Sequence, residues 1–401
     1  MDPITHGITG ALLGKGFFSK QQHRVAIFAA TLGAVFPDVD ILAEMFSRDP
    51  LRIVKYHRGI THSFFGLPFF AALLAWVTRR VARRFGIESP SWPMLTLIYG
   101  VGIASHIILD GMTSFGTRMW TPFSQQRVSW DLLFIIDFTF TGIVLLPQVV
   151  AWVYCRHENI RVRAIAMWIL FSLATCGAWK IAATAGYPFH KWIIIVASAV
   201  MAALFFLPAS RGWGLRISRA AWCRAGTAVM LAYLFACAAA HHSAFDRVKD
   251  FAAANHIPIV RMGAIPVPPS LLGWGGEIRT PDGVYQTHFD LRDSSPPEFR
   301  FFADSPPDEF TTRALLLPEV QLYWQFARFP VIRTSFDGSH HVVQFGEHRF
   351  VSPRSDNPPP FTYEVVFDAA GNIVEQGWLS NAAQRRRMME TKRKDAEKKT
   401  P

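Results

Sequence analysis

Long apolar runs dominate the first 240 positions of the chain. A segment of roughly 17–25 mostly apolar residues can cross a bilayer as a helix. Six runs of about this length lie at 64–82, 94–112, 132–154, 164–185, 191–208 and 222–240. Two shorter runs, 4–18 and 25–36, precede them and predict a short helical hairpin. Because six such runs exceed what a soluble core buries, the pattern predicts a polytopic α-helical integral membrane domain over residues 1–240.

The pattern changes after residue 240, where prolines cluster and helical periodicity stops. Strand-like stretches follow at 277–279, 284–291, 331–336, 341–345, 363–367 and 373–378. Asp337 and Gly338 predict a hairpin turn between two of these stretches, and residues 368–372 predict a second, longer turn. We expect a small, mostly β extramembrane domain over residues 241–383, followed by a charged, solvated tail over residues 384–401.

The charge of the chain is strongly basic, but its distribution is that of a membrane protein. Of 401 residues, 50% are hydrophobic and 18% are charged, and the formal net charge is +11. Much of the excess lies in the tail and in short loops between apolar runs, as the positive-inside bias requires. We therefore expect a lipid bilayer, and no nucleic acid, as a partner. The four cysteines lack CxxC spacing, so neither a disulfide framework nor a zinc ribbon is expected.

Arginines in the loops predict the orientation of the spans. They cluster after the first, third and fifth long runs, as Arg79, Arg80, Arg83, Arg84, Arg156, Arg161, Arg163, Arg211, Arg216 and Arg219. The positive-inside bias makes these loops cytoplasmic. Six spans then place the beginning of the first long run and the C-terminal domain on the outer side. The N-terminus has no basic region and no small-residue cleavage site, so no removable signal peptide is predicted.

Histidines and aspartates stand out in the membrane domain, where polar residues are costly and mark functional sites. Seven of them fall in four short motifs, MDPITHG, FPDVD, YHRGITHS and SHIILDG: His6, Asp38, Asp40, His57, His62, His106 and Asp110. Imidazole and carboxylate groups are ligands of divalent metals. A single residue of this kind is more often an interfacial histidine or a helix cap. Only the whole set of seven residues therefore indicates a metal site.

Spacing and topology bring the seven residues to one place. His106 and Asp110 are four residues apart and lie on the same face of a helix. Under the predicted topology, all four motifs lie at the outer face of the membrane. Seven ligands are enough for two ions with open positions, so we expect a site for about two divalent ions, with zinc as the expected metal.

The four motifs resemble those of the YdjM-like, LexA-regulated, membrane-bound metal-dependent hydrolases of bacteria. The resemblance is strong over residues 1–140 and implies a multi-pass protein of the bacterial inner (cytoplasmic) membrane, with hydrolase activity. It also implies a distant similarity to zinc-dependent phospholipase C and the P1-type nucleases, which cleave phosphate esters with a cluster of zinc ions. The His-x-x-x-Asp pair, His106 and Asp110, carries that wider resemblance.

The leading hypothesis is a metallohydrolase that cleaves a phosphate ester of a lipid or lipid-linked substrate with a metal-activated water. Arg58 is predicted to hold the anionic headgroup, although a loop that touches anionic lipid explains its position equally well. Asp137 is predicted to lie about 9 Å inside the third span, where it supports either the site or the fold. Two alternatives stay open: a metal-dependent amide or ester hydrolase, and a non-catalytic metal-stabilised scaffold whose β domain binds a partner.

Overall fold

A computed structural model shows the fold of most of the chain. It describes residues 1–18, 23–42, 49–184, 191–210, 212–268, 271–336, 338–351 and 358–379. The predicted turn residue Asp337 and the predicted tail lie outside these residues. Contacts divide the chain into two compact units. The first unit comprises Met1–Ala43, Arg58–His242 and Pro266–Gly273, and the second comprises Glu44–His57, Ser243–Ile265 and Trp274–Pro401.

Helices make up the first unit. They are α1 (Pro3–Phe17), α2 (His23–Val35), α4 (Gly66–Arg84), α5 (Trp92–Gly111), α6 (Phe138–Val153), α7 (Ile160–Thr184), α8 (Trp192–Ser210) and the first part of α9 (Arg219–Ala254). The short helix α3 (Arg52–Lys55) belongs to the second unit. Two 3-10 turns, Phe36–Val39 and Ile60–His62, complete the segments that carry the candidate ligands.

Small residues let α1, α2 and α5 pack with their backbones close together. A Cβ atom on Gly10 would lie 2.5 Å from the carbonyl oxygen of Ala30, and one on Gly102 would lie 2.6 Å from the same oxygen. α2 therefore packs between α1 and α5. Gly7 faces Val35 and Gly14 faces Ile27, so α1 and α2 are antiparallel. His106 near the end of α5 contacts Ala34 near the end of α2, so α2 and α5 run parallel. The beginning of α1 thus meets the ends of α2 and α5 at one end of the bundle.

Five helical segments in the described residues are long and apolar enough to cross a membrane: Arg24–Leu42, Trp92–Gly111, Ile160–Thr184, Trp192–Ser210 and Arg219–Ala254. This confirms a helical membrane domain but changes the assignment of its spans. The run at 25–36 was expected to be short, yet a 3-10 turn extends its helix to full length. The run at 132–154 forms a helix of only 16 residues. The run at 64–82 lies in α4, whose last turns carry four arginines.

The second unit is mostly β, as predicted. Its strands are β1 (Arg261–Pro266), β2 (Gly273–Thr280), β3 (Gly283–Asp290), β4 (Arg300–Ala303), β5 (Pro330–Phe336), β6 (His340–Glu347), β7 (Phe361–Asp368) and β8 (Ile373–Trp378). They form two four-stranded sheets in the orders β1-β2-β3-β4 and β5-β6-β7-β8. The turn between β7 and β8 is closed by the backbone of Asp368, which donates to Asn372 O at 2.9 Å.

Two short helices, α10 (Glu309–Leu315) and α11 (Pro318–Phe326), join the two sheets in sequence and were not predicted. Asp308 caps α10 by accepting a hydrogen bond from the backbone of Thr311 at 2.6 Å. Pro318 occupies the first turn of α11, where its missing N–H is no loss. Both start signals were present in the sequence, but each helix is too short to show a clear period.

Candidate metal centre

Four side chains from three segments meet where the α1–α2–α5 bundle ends. Asp38 lies in the 3-10 turn that continues α2, and Pro37 before it helps to end the α-helix. His62 ends the second 3-10 turn, and His106 and Asp110 lie in the last turns of α5. Ligand atoms of all four residues lie within 4.8 Å of one another. The predicted convergence of these residues is therefore confirmed.

The distances within this set are short and even. His62 Nε2 and His106 Nε2 are 3.0 Å apart. Asp38 Oδ1 lies 3.5 Å from each of these nitrogens, and Asp110 Oδ2 lies 3.4 Å from each. The side chains of His62, His106 and Asp110 are completely buried, whereas that of Asp38 is 9% exposed. Asp38 therefore marks the side from which water can reach the set.

Hydrogen bonds on the outer side of each imidazole fix its tautomer. His106 Nδ1 donates to the carbonyl oxygen of Ala34 at 2.7 Å, because a carbonyl can only accept. His62 Nδ1 faces the carboxylate of Asp40 at 3.2 Å. In the neutral rings, both Nε2 atoms then carry lone pairs toward the centre. This is the arrangement by which proteins orient histidine ligands of a metal.

The donor set fits a small divalent cation. Two nitrogen lone pairs at 3.0 Å from each other repel unless a positive charge lies between them. Tetrahedral zinc with bonds of about 2.0–2.2 Å would place neighbouring ligand atoms about 3.3–3.6 Å apart. The distances from Asp38 and Asp110 to the imidazoles are 3.5 and 3.4 Å. The set can therefore hold a metal ion.

His6 lies against this set, although it is not one of the four residues. Its buried ring stacks on His106 with ring centroids 3.7 Å apart. Its Nε2 is 3.1 Å from Asp110 Oδ1, which also accepts a hydrogen bond from the α-amino group of Met1. Its Nδ1 is buried without a hydrogen-bond partner among the described residues. His6 is thus within reach of the centre, and its role as a ligand stays a prediction.

Asp40 supports the centre from behind His62. Its Oδ2 accepts a hydrogen bond from the backbone of Arg58 at 2.8 Å and lies 3.3 Å from Thr61 Oγ1. Together with the contact to His62 Nδ1, these bonds fix the loop that carries His62. His57 is half-buried and groups with the second unit, as the last residue of the segment that ends there. The ligand roles of Asp40 and His57 stay predictions.

Arg58 differs most from our expectation. Its side chain is buried and pairs with Asp110 through Nε at 2.8 Å and Nη2 at 2.9 Å. Its Nη1 donates to Thr113 Oγ1 and to Gly116 O, each at 3.2 Å. The backbone adopts a positive φ of 59°, which a non-glycine residue rarely keeps unless its surroundings hold it. A guanidinium so fully engaged inside the protein is poorly placed to hold a substrate headgroup.

Comparison with known proteins gives the family. The sequence model of the YdjM inner membrane protein family matches residues 1–185. The inner membrane protein YbcI of Escherichia coli (strain K12) is 30% identical over 145 residues, which cover 34% of this chain and 76% of YbcI. The chain belongs to the YdjM inner membrane protein family. No solved structure matches it significantly.

The YdjM match includes every candidate ligand and most of the membrane domain, but none of the strands of the second unit. Membership in this family and the five long apolar helices fit a multi-pass inner membrane protein, as predicted. The similarity to zinc-dependent phospholipase C and the P1-type nucleases stays a prediction.

Asp137 lies at a helix end, not inside a span. It is the N-cap of α6, and its Oδ1 accepts hydrogen bonds from the backbones of Thr139 and Phe140 at 2.9 and 3.1 Å. Its other oxygen accepts a hydrogen bond from Tyr233 at 3.2 Å. The expected depth of about 9 Å was wrong because α6 begins six residues later than the apolar run. These contacts show that Asp137 is buried for a structural reason, as a helix cap. Its catalytic role stays a prediction.

Sequence reasoning missed two supporting groups. The carbonyl oxygen of Ala34 orients His106, and no sequence motif can show a backbone acceptor. Thr113 accepts from Arg58 and was passed over because it lies just beyond the SHIILDG motif. Its position one turn after Asp110 was the available signal.

Proposed function

We propose that this protein is a membrane-bound metal-dependent hydrolase that cleaves a phosphate ester of a lipid or lipid-linked substrate. The observation that carries the proposal is the set of four Lewis-basic atoms around one point, formed by Asp38, His62, His106 and Asp110. Zinc is the proposed metal, because two imidazoles and two carboxylates are zinc ligands. These four residues surround one ion position, and the second ion expected from the sequence stays a prediction.

Each residue of the centre has its own role in the proposed reaction. A divalent ion bound here would supply a Lewis acid that lowers the pKa of its bound water to about 7. Asp38, His62, His106 and Asp110 would hold the ion, and Asp40 and Ala34 orient the two imidazoles. Asp38 is the most exposed of the four, whereas its Oδ2 atom is itself buried and has no hydrogen-bond partner among the described residues. Asp38 Oδ2 is therefore the group placed to accept the proton of the attacking water.

An exposed aromatic cluster beside His62 supports a lipid substrate. Phe65, Trp120 and Phe123 are 50%, 47% and 79% exposed, and their rings contact one another through Phe65. The backbone of Phe64 donates to Met119 O at 3.0 Å, which ties this cluster to the segment that carries His62. Aromatic side chains of this kind sit at membrane–water interfaces. The cluster is thus placed to contact the apolar part of a substrate.

A paired assay tests the function and the substrate class together. Purified protein should hydrolyse a phosphodiester lipid in mixed micelles, and a water-soluble phosphodiester more slowly. Phe65→Ser should lower kcat/KM for the lipid about tenfold, since part of the benefit of burying an aromatic ring is lost. The same substitution should leave kcat/KM for the water-soluble phosphodiester unchanged.

The matched control is Phe85→Ser, at the opposite end of α4, where the side chain is 72% exposed. It should change neither rate. Hydrolysis of carboxylic esters or amides, with phosphodiesters untouched, would contradict the phosphate-ester assignment. If the metal-loaded protein hydrolyses none of these substrates, the result would favour the alternative of a non-catalytic, metal-stabilised scaffold.

We also propose that the centre and the second unit face the periplasm. The placement of the centre rests on α4, which has its four arginines at one end and follows His62 at the other. The placement of the second unit rests on the six described helices, α4 to α9, which lie between His62 and the strands of that unit in the sequence. In a variant without native cysteines, Ser339→Cys should react with an impermeant maleimide in spheroplasts, and Ser210→Cys should not. The opposite labelling would reverse the proposed topology.

A further inference from the structure

A cavity in the second unit has the chemistry of an anion site and shares no residue with the metal centre. It has a volume of about 210 Å³. One wall is a face of the second sheet, from which Val331 and Arg333 of β5 and Gln344 of β6 project at alternate positions. Arg300 and Phe302 of β4 form another wall.

The positive charges of this cavity are not neutralised. No aspartate or glutamate lines it, and neither Arg300 nor Arg333 has a carboxylate partner among the described residues. Nearby Arg279, by contrast, pairs with Asp304 at 2.6 Å. Two guanidinium groups at one cavity attract an oxyanion, which can accept several charge-assisted hydrogen bonds from them.

His348 adds an acceptor to these two donors. Its side chain is buried, and its Nδ1 lies 3.2 Å from Gln286 Oε1. The amide nitrogen of Gln286 donates to Glu277 Oε1 at 2.8 Å, so Gln286 Oε1 must accept and His348 Nδ1 carries the proton. Burial lowers the pKa of His348 to about 4, which keeps the ring neutral. Its Nε2 is the remaining polar atom, with a lone pair and no hydrogen-bond partner among the described residues.

We propose that this cavity binds a phosphate monoester. The phosphate oxygens accept hydrogen bonds from Arg300 and Arg333, while a P–O–H group donates to His348 Nε2. A phosphate monoester has a second pKa of about 6, so a fraction keeps this proton at neutral pH, whereas sulfate and carboxylates have none to donate. Phe302 and Val331 provide an apolar surface for the carbon part of the ligand.

Calorimetric titration of the full-length protein, purified in a zwitterionic detergent, tests this site. The soluble probes are glycerol phosphate and sulfate, and the lipid probe is phosphatidic acid in mixed micelles. Wild type should bind the phosphate esters at least tenfold more tightly than sulfate. Tighter binding of phosphatidic acid than of glycerol phosphate would identify a lipid headgroup as the ligand, and the reverse would identify a soluble ester.

Variants separate the cavity from the metal centre. Arg333→Gln should weaken phosphate binding about tenfold or more, because a charge-assisted hydrogen bond is lost. Arg292→Gln is the matched control: Arg292 is exposed and pairs with Asp290 in the same unit, so binding should not change. His348→Phe keeps a ring against Phe302 and should bring the phosphate and sulfate affinities close together.

Two results would overturn the proposal. One is equal binding by wild type and Arg333→Gln, which would place the bound phosphate at the metal centre. The other is a wild type that binds sulfate as tightly as phosphate, a result that needs no variant and is therefore independent of folding.

Discussion

Replacing His106 with alanine will strip the protein of its divalent ion and abolish turnover. The ring of His106 contributes one of four ligand atoms that surround a single point, and its removal leaves three ligands for the ion. We expect the affinity for the metal to fall at least about 100-fold, since even the loss of a supporting contact costs 10- to 100-fold. Asp40→Asn should show that smaller loss, because Asp40 acts through His62. Metal analysis after repletion and gel filtration measures both effects.

The matched control for this experiment is His157→Ala. His157 is exposed in the same unit and takes no part in the centre. Its variant should keep the metal content and turnover of wild type. Full metal content in folded His106→Ala protein would show that the ion is held elsewhere.

Arg58→Ala will destabilise the protein and release the metal. Arg58 pairs with Asp110 through two nitrogens, and both side chains are buried. Removing one partner of a buried ion pair typically costs about 3–5 kcal/mol, because the remaining charge is left uncompensated. We expect a large fall in the thermal unfolding midpoint together with loss of metal. Arg58→Lys should recover only part of both, since an ammonium cannot place two nitrogens against the two carboxylate oxygens of Asp110 as the planar guanidinium does.

Arg52→Ala provides the comparison, because Arg52 is exposed in α3. It should change neither stability nor metal content. If Arg58→Ala stays folded and metal-loaded but loses turnover, Arg58 binds substrate, as expected from the sequence, and does not act by holding Asp110 in place.

The candidate site was predictable where residue type and helical spacing were enough. His106 and Asp110 share a face of α5 because they are four residues apart, and the structure places both at the centre. The role of Arg58 could not be predicted in this way. An arginine beside two histidines attracts a substrate phosphate or a protein carboxylate equally well, and only the buried pair with Asp110 separates the two.

The spans were harder to predict because apolar composition does not mark where a helix begins. The apolar run at 132–154 starts before α6, which begins only after Asp137 caps its first turn. In the second unit, the strand-like stretches and the turn residues between them located β5 to β8. The helices α10 and α11 were missed because seven and nine residues are too few to establish a helical period.

The most direct test of the account is X-ray absorption on the wild-type protein, purified in detergent with its native metal. We expect about one equivalent of zinc or more per protein chain, bound by two imidazole nitrogens and by carboxylate oxygens at about 2.0–2.2 Å. The imidazole signal should disappear in the His62→Ala and His106→Ala variants. Folded wild-type protein that binds less than about a tenth of an equivalent of any divalent ion after repletion would contradict it.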